Sequence, residues 1–290
     1  MSEYVLMTDS SCDLPDELAK ELELTVLPLS FTQDGKTYKN HLDCREMPSK
    51  VFYKNLRDGH TAVTSGVNID AALTAMEEIL KSGRDILCLN FSSALSCTYA
   101  SCVSAANELR EKYKERTIEV VDTLAASLGQ GLLVYLTAQK KKAGATLEEA
   151  RDFVERMKLH MCHWFTVDDL MHLRRGGRVS TATAIVGSML SIKPVMHTDD
   201  AGKLTPVGKV RGRKKSILAL LEKMEELAID PEKQTVFISH GDCEEDAQFL
   251  AEQIKTHLHV KDILIHPVGP VIGAHSGPGT LALFFIGQHR

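Results

Sequence analysis

The sequence predicts an α/β protein of two domains, with a largely parallel sheet flanked by helices in the N-terminal part and a mixed sheet in the C-terminal part. Three observations carry this expectation. Apolar runs of strand length alternate with helical periodicity from Tyr4 to His160, the pattern of a parallel sheet covered on its faces. Beyond His163 the order changes, because Ile192–His197 and Leu204–Val210 flank Asp199-Asp200-Ala201-Gly202, a hairpin-like signal for antiparallel pairing. At 290 residues the chain has core enough for two such units. The boundary is placed near residue 160, giving an N-terminal domain 1–160 and a C-terminal domain 161–290.

Taken in order, Tyr4–Met7 is a first strand ending in Thr8-Asp9-Ser10-Ser11-Cys12-Asp13. Pro15–Leu22 is a short helix, with Pro15 in its first turn and Asp13 as its cap. Thr25–Phe31 is a second strand, joined through the Asp34-Gly35 turn to Lys36–Tyr38. Pro48–Leu56 is an amphipathic helix. The hydroxyl-rich loop Thr61–Asn68 precedes a helix over Ile69–Lys81. The organising stretch is Asp85–Tyr99. Its apolar run Ile86–Phe91 has the look of a buried parallel strand, Ser92–Ser96 is a second hydroxyl-rich loop, and Cys97–Tyr113 has helical spacing. Ile118–Val121 is a strand, and Ala125–Lys142 and Leu147–His160 are helices divided by Gly144 and capped at Thr146.

In the second half, His163–Val167 is strand-like, Asp168–Leu173 a helical turn, and Arg174-Arg175-Gly176-Gly177-Arg178 a basic turn. Thr181–Leu190 is a helix, as are Arg213–Leu227 and Glu245–His257, and Thr235–Ser239 is a strand. Ile263–His289 contains no Asp, Glu, Lys or Arg, but Pro267, Pro270, Pro278 and five glycines break it. It is expected to be a strand, a glycine loop over Gly269–Gly279 and a final strand over Leu281–Ile286, not a membrane span.

Composition excludes several classes. A net charge of −5 gives no global attraction to nucleic acid or anionic membrane, and aromatic residues are only 6%, so no nucleic-acid partner is expected. The cysteines at 12, 44, 88, 97, 102, 162 and 243 form no CxxC pair, and an odd, scattered count suits reduced thiols in a cytoplasmic protein. Glu3 and Asp9 argue against a signal peptide. No metal-ligand spacing is present, so no metal and no cofactor are expected.

Three loops share one chemistry: Asp9-Ser10-Ser11, Thr64-Ser65, and Ser92-Ser93 with Ser96. If all follow parallel strands, they meet at one sheet edge, where neutral donors and backbone amides can hold a small anionic head group. Their other reading is three capping turns, with Ser96 capping the helix that follows it. His275, inside the glycine loop, is presented by a stiff frame, whereas His240 reads as part of a solvated turn. A thiol at Cys97, near a helix N-terminus, is either reactive or a small buried residue. Ser93 or Cys97 with His275 or His240 would make an acyl hydrolase, but there is no G-x-S-x-G elbow. A small-anion binding module is a further alternative. Arg174, Arg175, Arg178, Arg211 and Arg213, with Lys214 and Lys215, form a basic set in an acidic chain. They are either a solvated face or a docking face for an acidic partner.

Thr8–Asp13, Thr64-Ser65, Ser92–Tyr99, Gly176-Gly177-Arg178 and Gly269–Gly279, in this order over nearly the whole chain, resemble the DegV family of bacterial fatty-acid-binding proteins. The resemblance implies a lipid site between two α/β domains that buries one long-chain fatty acid, its carboxylate held by Thr64, Ser93 and His275, with Ser65 and Ser96 beside them. It implies no catalysis by this chain. The carboxylate is presented to a separate ATP-dependent, dihydroxyacetone-kinase-like fatty-acid kinase, the acyl phosphate product is carried away, and transient membrane contact fits such a carrier. The chain departs from the family pattern twice: Gly66-Val67 stand where Gln-Pro usually follows the Thr-Ser pair, and Cys97 stands where the family has glycine. Thr183–Ile192 and Leu281–Ile286 are expected to line the tail or to be ordinary core. Burial of about 0.8 kcal/mol per CH₂ would make the tail set affinity and the loops set orientation.

Overall fold

The computed structural model describes residues 3–180 and 191–290. The first half runs β1 (Tyr4–Asp9), α1 (Asp16–Glu21), β2 (Thr25–Leu27), β3 (Leu29–Gln33), β4 (Lys36–Asn40), α2 (Ser49–Arg57), β5 (Ala62–Ser65), α3 (Ile69–Lys81), β6 (Asp85–Asn90), α4 (Thr98–Lys112), β7 (Ile118–Asp122), α5 (Leu128–Lys142) and α6 (Leu147–Met157). The second half runs β8 (Met161–Thr166), α7 (Met171–Arg175), β9 (Ile192–Thr198), β10 (Leu204–Arg211), α8 (Arg213–Leu227), β11 (Thr235–His240), α9 (Glu244–Leu258), β12 (Asp262–Pro267), α10 (Pro270–Ser276) and β13 (Leu281–Ile286). The expected helix at Thr181–Leu190 lies outside the described residues, as does most of Thr183–Ile192.

The expected α/β architecture is present. A parallel sheet has the order β2-β1-β6-β7, and a mixed sheet of six strands has the order β10-β9-β8-β13-β11-β12. Its β8–β13 and β11–β13 pairs are antiparallel, and β11–β12 is parallel. Helix α5 lies between the two sheets. Leu128, Leu132 and Leu133 join one core with Leu6 and Leu89 of the parallel sheet and with Phe165, Phe237 and Phe284 of the mixed sheet. Two of its glycines set this spacing. A Cβ at Gly129 would stand 2.1 Å from His163 Nε2, and one at Gly131 would stand 2.6 Å from the Cys12 carbonyl. The outer face of the parallel sheet is covered by α3 and α4, and that of the mixed sheet by α8 and α9.

The structure departs from the sequence reading in four places. The single strand expected over Thr25–Phe31 is split at Pro28. Proline has no N–H for the ladder, and the chain changes sheet there: β2 pairs with β1, and β3 joins a separate three-stranded antiparallel sheet, β4-β3-β5. Thr64 and Ser65, expected in a loop, sit in β5 opposite Phe31 and Ser30. Gly269–Gly279, expected as a loop, contains the helix α10. Pro270 opens it, and Gly277, at φ +80°, ends it. Asp13 does not cap α1, whose cap position is Pro15 with no side-chain bond; its carboxyl turns inward instead.

Candidate functional site

A cavity of about 700 Å³ opens between the two halves. Phe91, Phe165, Val268, Val271, Ala282 and Phe284 give it apolar walls. Ala282 and Phe284 belong to Leu281–Ile286, and they are the residues of β13 that turn toward α5. Their neighbours Leu281, Leu283 and Phe285 turn to the core under α8 and α9, as a period of two requires. Three polar side chains deep in the cavity are already bonded to protein. The Ser127 hydroxyl donates to Asp13, that of Thr280 to the Gly277 carbonyl, and His163 Nδ1 to the Met161 carbonyl.

The mouth is polar. Ser65, Asn68, Ile69, Asp70 and Cys97 both line the cavity and face solvent. Just inside, Thr64 Oγ1 and His275 Nε2 are 2.7 Å apart. Burial, and then the nearby Arg178 charge, lowers His275 to about 4, so its imidazole is neutral at ordinary pH. A neutral ring can donate through Nε2–H to Thr64, which leaves the threonine O–H free for a ligand oxygen. His275 Nδ1 and Ser276 Oγ are buried without a hydrogen-bond partner. Ser96 Oγ accepts from the Thr98 amide at 3.2 Å and meets Thr98 Oγ1 at 3.0 Å. Thr98 Oγ1 in turn accepts from the Val67 amide at 3.2 Å. The strand that carries Thr64 is thereby tied to the start of α4.

Gly66 and Cys97, the positions at which the sequence departs from the pattern the resemblance implies, meet at this tie. A Cβ on Gly66 would stand 2.9 Å from Cys97 Sγ and 2.9 Å from Thr98 Oγ1. Gly66 thus has no side chain where the Cys97 side chain stands.

Several sequence expectations change here. Ser93 is exposed and is not among the cavity-lining residues; its amide donates to Asp122 Oδ1 at 3.2 Å, and the hydroxyl of this loop that lines the cavity is that of Ser96. The loop Asp9-Ser10-Ser11 does not reach it either. The Asp9 carboxylate accepts from the Ser11 and Phe91 amides, and Ser10 Oγ accepts from the Leu29 amide, so this loop is a buried splice between sheets. Arg178 is not on an outward docking face. Its Nη2 and Nε donate to the Leu95 carbonyl at 2.8 and 3.1 Å, its Nη1 donates to the Gly176 carbonyl, and its side chain lines the cavity. Arg213 is paired with Asp246 at 2.8 Å and Asp168 at 3.7 Å. Arg174, Arg175 and Arg211 are exposed. For the hydrolase alternative, His275 bonds Thr64, and His240 Nδ1 accepts from the Cys243 amide; neither Ser93 nor Cys97 is bonded to either ring. Among the described residues no cluster of His, Cys, Asp and Glu could hold a metal ion, and no helix is long and apolar enough to cross a membrane.

The family model described as "Uncharacterised protein, DegV family" matches residues 3–288. This chain belongs to the DegV family. A DegV domain-containing protein of Clostridium perfringens is 49% identical over 290 residues, covering 100% of this chain and 99% of the relative. A DegV-family protein of Thermus thermophilus, whose structure is described as showing fatty-acid binding, is 29% identical with a TM-score of 0.89, over 99% of this chain and 100% of that one. The fatty-acid kinase B3 protein of Streptococcus pneumoniae, solved with linoleic acid, shares the fold at a TM-score of 0.86 and 20% identity, over 99% of this chain and 100% of that one.

Proposed function

We propose that this DegV-family chain binds one long-chain fatty acid, with its tail in the cavity and its carboxylate at the mouth. The observation that carries the reading is the polarity of the cavity: its apolar walls lie inward, and the Thr64 hydroxyl, oriented by the neutral His275, lies with Ser96 and the Arg178 charge toward the end that opens to solvent. A tail of roughly sixteen carbons gains about 0.8 kcal/mol per buried CH₂, more in sum than a few head-group hydrogen bonds at about 1.5–3 kcal/mol each. The tail therefore sets affinity, and the mouth sets which way the molecule lies. A carboxylate held at an open mouth is accessible to a second protein. In this reading, which the family resemblance supports, that protein is an ATP-dependent, dihydroxyacetone-kinase-like kinase, and this chain is a cytoplasmic carrier of substrate and acyl phosphate that performs no chemistry itself. Arg174, Arg175 and Arg211, with Lys214 and Lys215, are exposed members of the basic set and would serve for docking an acidic kinase surface.

Organic extraction of the purified protein followed by mass spectrometry tests the first part. A stoichiometric long-chain fatty acid is the expected result. A protein that is empty, and that takes up no palmitate when supplied with it, overturns the reading. Esterase turnover lost on Ser93→Ala or Cys97→Ala would select the hydrolase in its place.

A further inference from the structure

We infer that Asp13 is a positioning residue for the head-group site, its carboxyl fixing the helix that carries His275 against the serine floor of the cavity. This inference rests on the fatty-acid reading of the site. Asp13 is 3% exposed and adopts a left-handed backbone, φ 51°, at the end of the loop after β1. Its two carboxyl oxygens serve two different segments. The Ser127 hydroxyl donates to Oδ2 at 2.6 Å, and the Gly269 amide donates to Oδ1 at 3.1 Å. Its backbone carbonyl takes a third bond, from His266 Nδ1 at 2.9 Å. Ser127 Oγ is also 3.2 Å from Ser239 Oγ, and both serines line the cavity.

Gly269 is the cap residue of α10, and Pro270 follows it directly, so the position of the Gly269 amide sets where the helix starts. A shift there is carried along about 9 Å of helix to His275. The contact has no slack, since a Cβ on Gly269 would stand 2.6 Å from Asp13 Oδ1. On its other side the same joint is held by the Tyr53 hydroxyl, which donates to the Val268 carbonyl at 2.9 Å. Among the described residues no lysine or arginine bonds the Asp13 carboxyl; its titratable surroundings there are Asp9, Cys12, Cys44, Tyr53 and His266. A buried carboxyl without a cation costs stability. What its fork supplies is two acceptors at fixed separation, one for each half of the molecule.

The test compares Asp13→Ala and Asp13→Asn with the native chain. An asparagine can accept from Gly269 and donate to Ser127, so it keeps the joint. Two readouts are taken: the His275 Cε1 resonance and its titration, and the affinities for palmitate and for 1-hexadecanol by displacement of a fluorescent fatty acid. Asp13→Ala is expected to move the His275 resonance and raise its midpoint. It should weaken palmitate about tenfold, the size of one lost buried hydrogen bond to a charged group, with hexadecanol nearly unchanged. Asp13→Asn is expected to stay close to the native protein in both. An unmoved His275 resonance in Asp13→Ala, an equal loss of acid and alcohol, or an Asp13→Asn as impaired as the alanine variant overturns the inference. Should Asp13→Ala fail to fold, Gly269→Ala strains the same joint and decides by the same readouts. A native protein that binds no palmitate defeats the fatty-acid reading, and the His275 resonance then still decides the role of Asp13.

Discussion

Thr64 and His275 are 211 positions apart in the chain and 2.7 Å apart in the fold. Neither is charged at neutral pH, so a carboxylate placed beside them is met by dipoles, with Arg178 the nearby cation. Removing the hydroxyl while keeping the shape, as in Thr64→Val, deletes one donor to an ionised ligand. The expected loss of fatty-acid affinity is about 1.5–3 kcal/mol, measured by equilibrium titration of the delipidated protein, with thermal stability little changed. Asp13 gives a second residue-scale prediction, this one in pH. Burial raises its carboxyl from 3.8 to about 7, so between those values the folded chain holds a proton that the unfolded chain has released, and stability falls as pH rises through this window. His275 works in the opposite sense. Lowered from 6.5 to about 4, it lets the unfolded chain bind the extra proton, and stability rises with pH. Asp13→Asn removes only the first effect. Denaturant melts taken from about pH 4 to pH 8 are therefore expected to show the variant gaining on the native chain by roughly 1–3 kcal/mol up to about pH 7, then running parallel to it. A constant difference across that range would show that Asp13 does not titrate there.

At the scale of elements, what could be read from sequence depended on whether the signal was local. The βα alternation and the Asp199–Gly202 hairpin identify the parallel sheet and the antiparallel entry into the mixed sheet, because both are written in short-range periodicity. β5 was not legible. Its four residues, two of them hydroxylated, become a strand only because β3 lies beside them. α10 was hidden for the opposite reason, since its glycines and prolines are loop-formers until Tyr53 and Phe52 are packed against Gly273. Arg178 and Asp13 carried ordinary local signals, a basic turn and a helix cap, and were drawn inward by partners distant in sequence. The tie between β5 and α4 is where two elements meet over a single missing side chain. Gly66→Ala would place a methyl against Cys97 Sγ and Thr98 Oγ1, an overpacking expected to cost about 1–3 kcal/mol. Cys97→Gly alone should keep fatty-acid loading, and added to Gly66→Ala it should restore part of the lost stability. Two single-variant effects that add without coupling, in a double-mutant cycle read by denaturant melts, would mean that the two positions accommodate change independently.

For the whole molecule, the question is how one chain serves both a ligand that must be hidden and a partner that must reach it. The two halves meet around the cavity through α5, Asp13 and Arg178, and the mouth is bounded by Ser65–Asp70 and Cys97. A partner that reads the carboxylate must approach that mouth, and the basic residues divide according to whether they face it from inside or outside. Arg178 spans from the Gly176 turn to Leu95, beneath the mouth, and Arg213 is held by Asp246. Arg174, Arg175 and Arg211 project to solvent. Exposed charges of this kind act on association rate and salt dependence more than on the lifetime of a complex. Arg174→Glu, Arg175→Glu and Arg211→Glu are therefore expected to leave bound lipid at the native level and to slow acyl-phosphate formation by an added kinase, the more so at low salt. Arg178→Glu, which sets a carboxylate beside the ligand's own, should empty the cavity and lose turnover with it. Bound lipid by mass spectrometry and phosphate transfer at several salt concentrations, on one set of variants, separate these outcomes. If the three exposed arginines lose lipid as fully as Arg178→Glu, they belong to the pocket or its frame. If they change neither lipid nor turnover, the partner docks elsewhere on the rim.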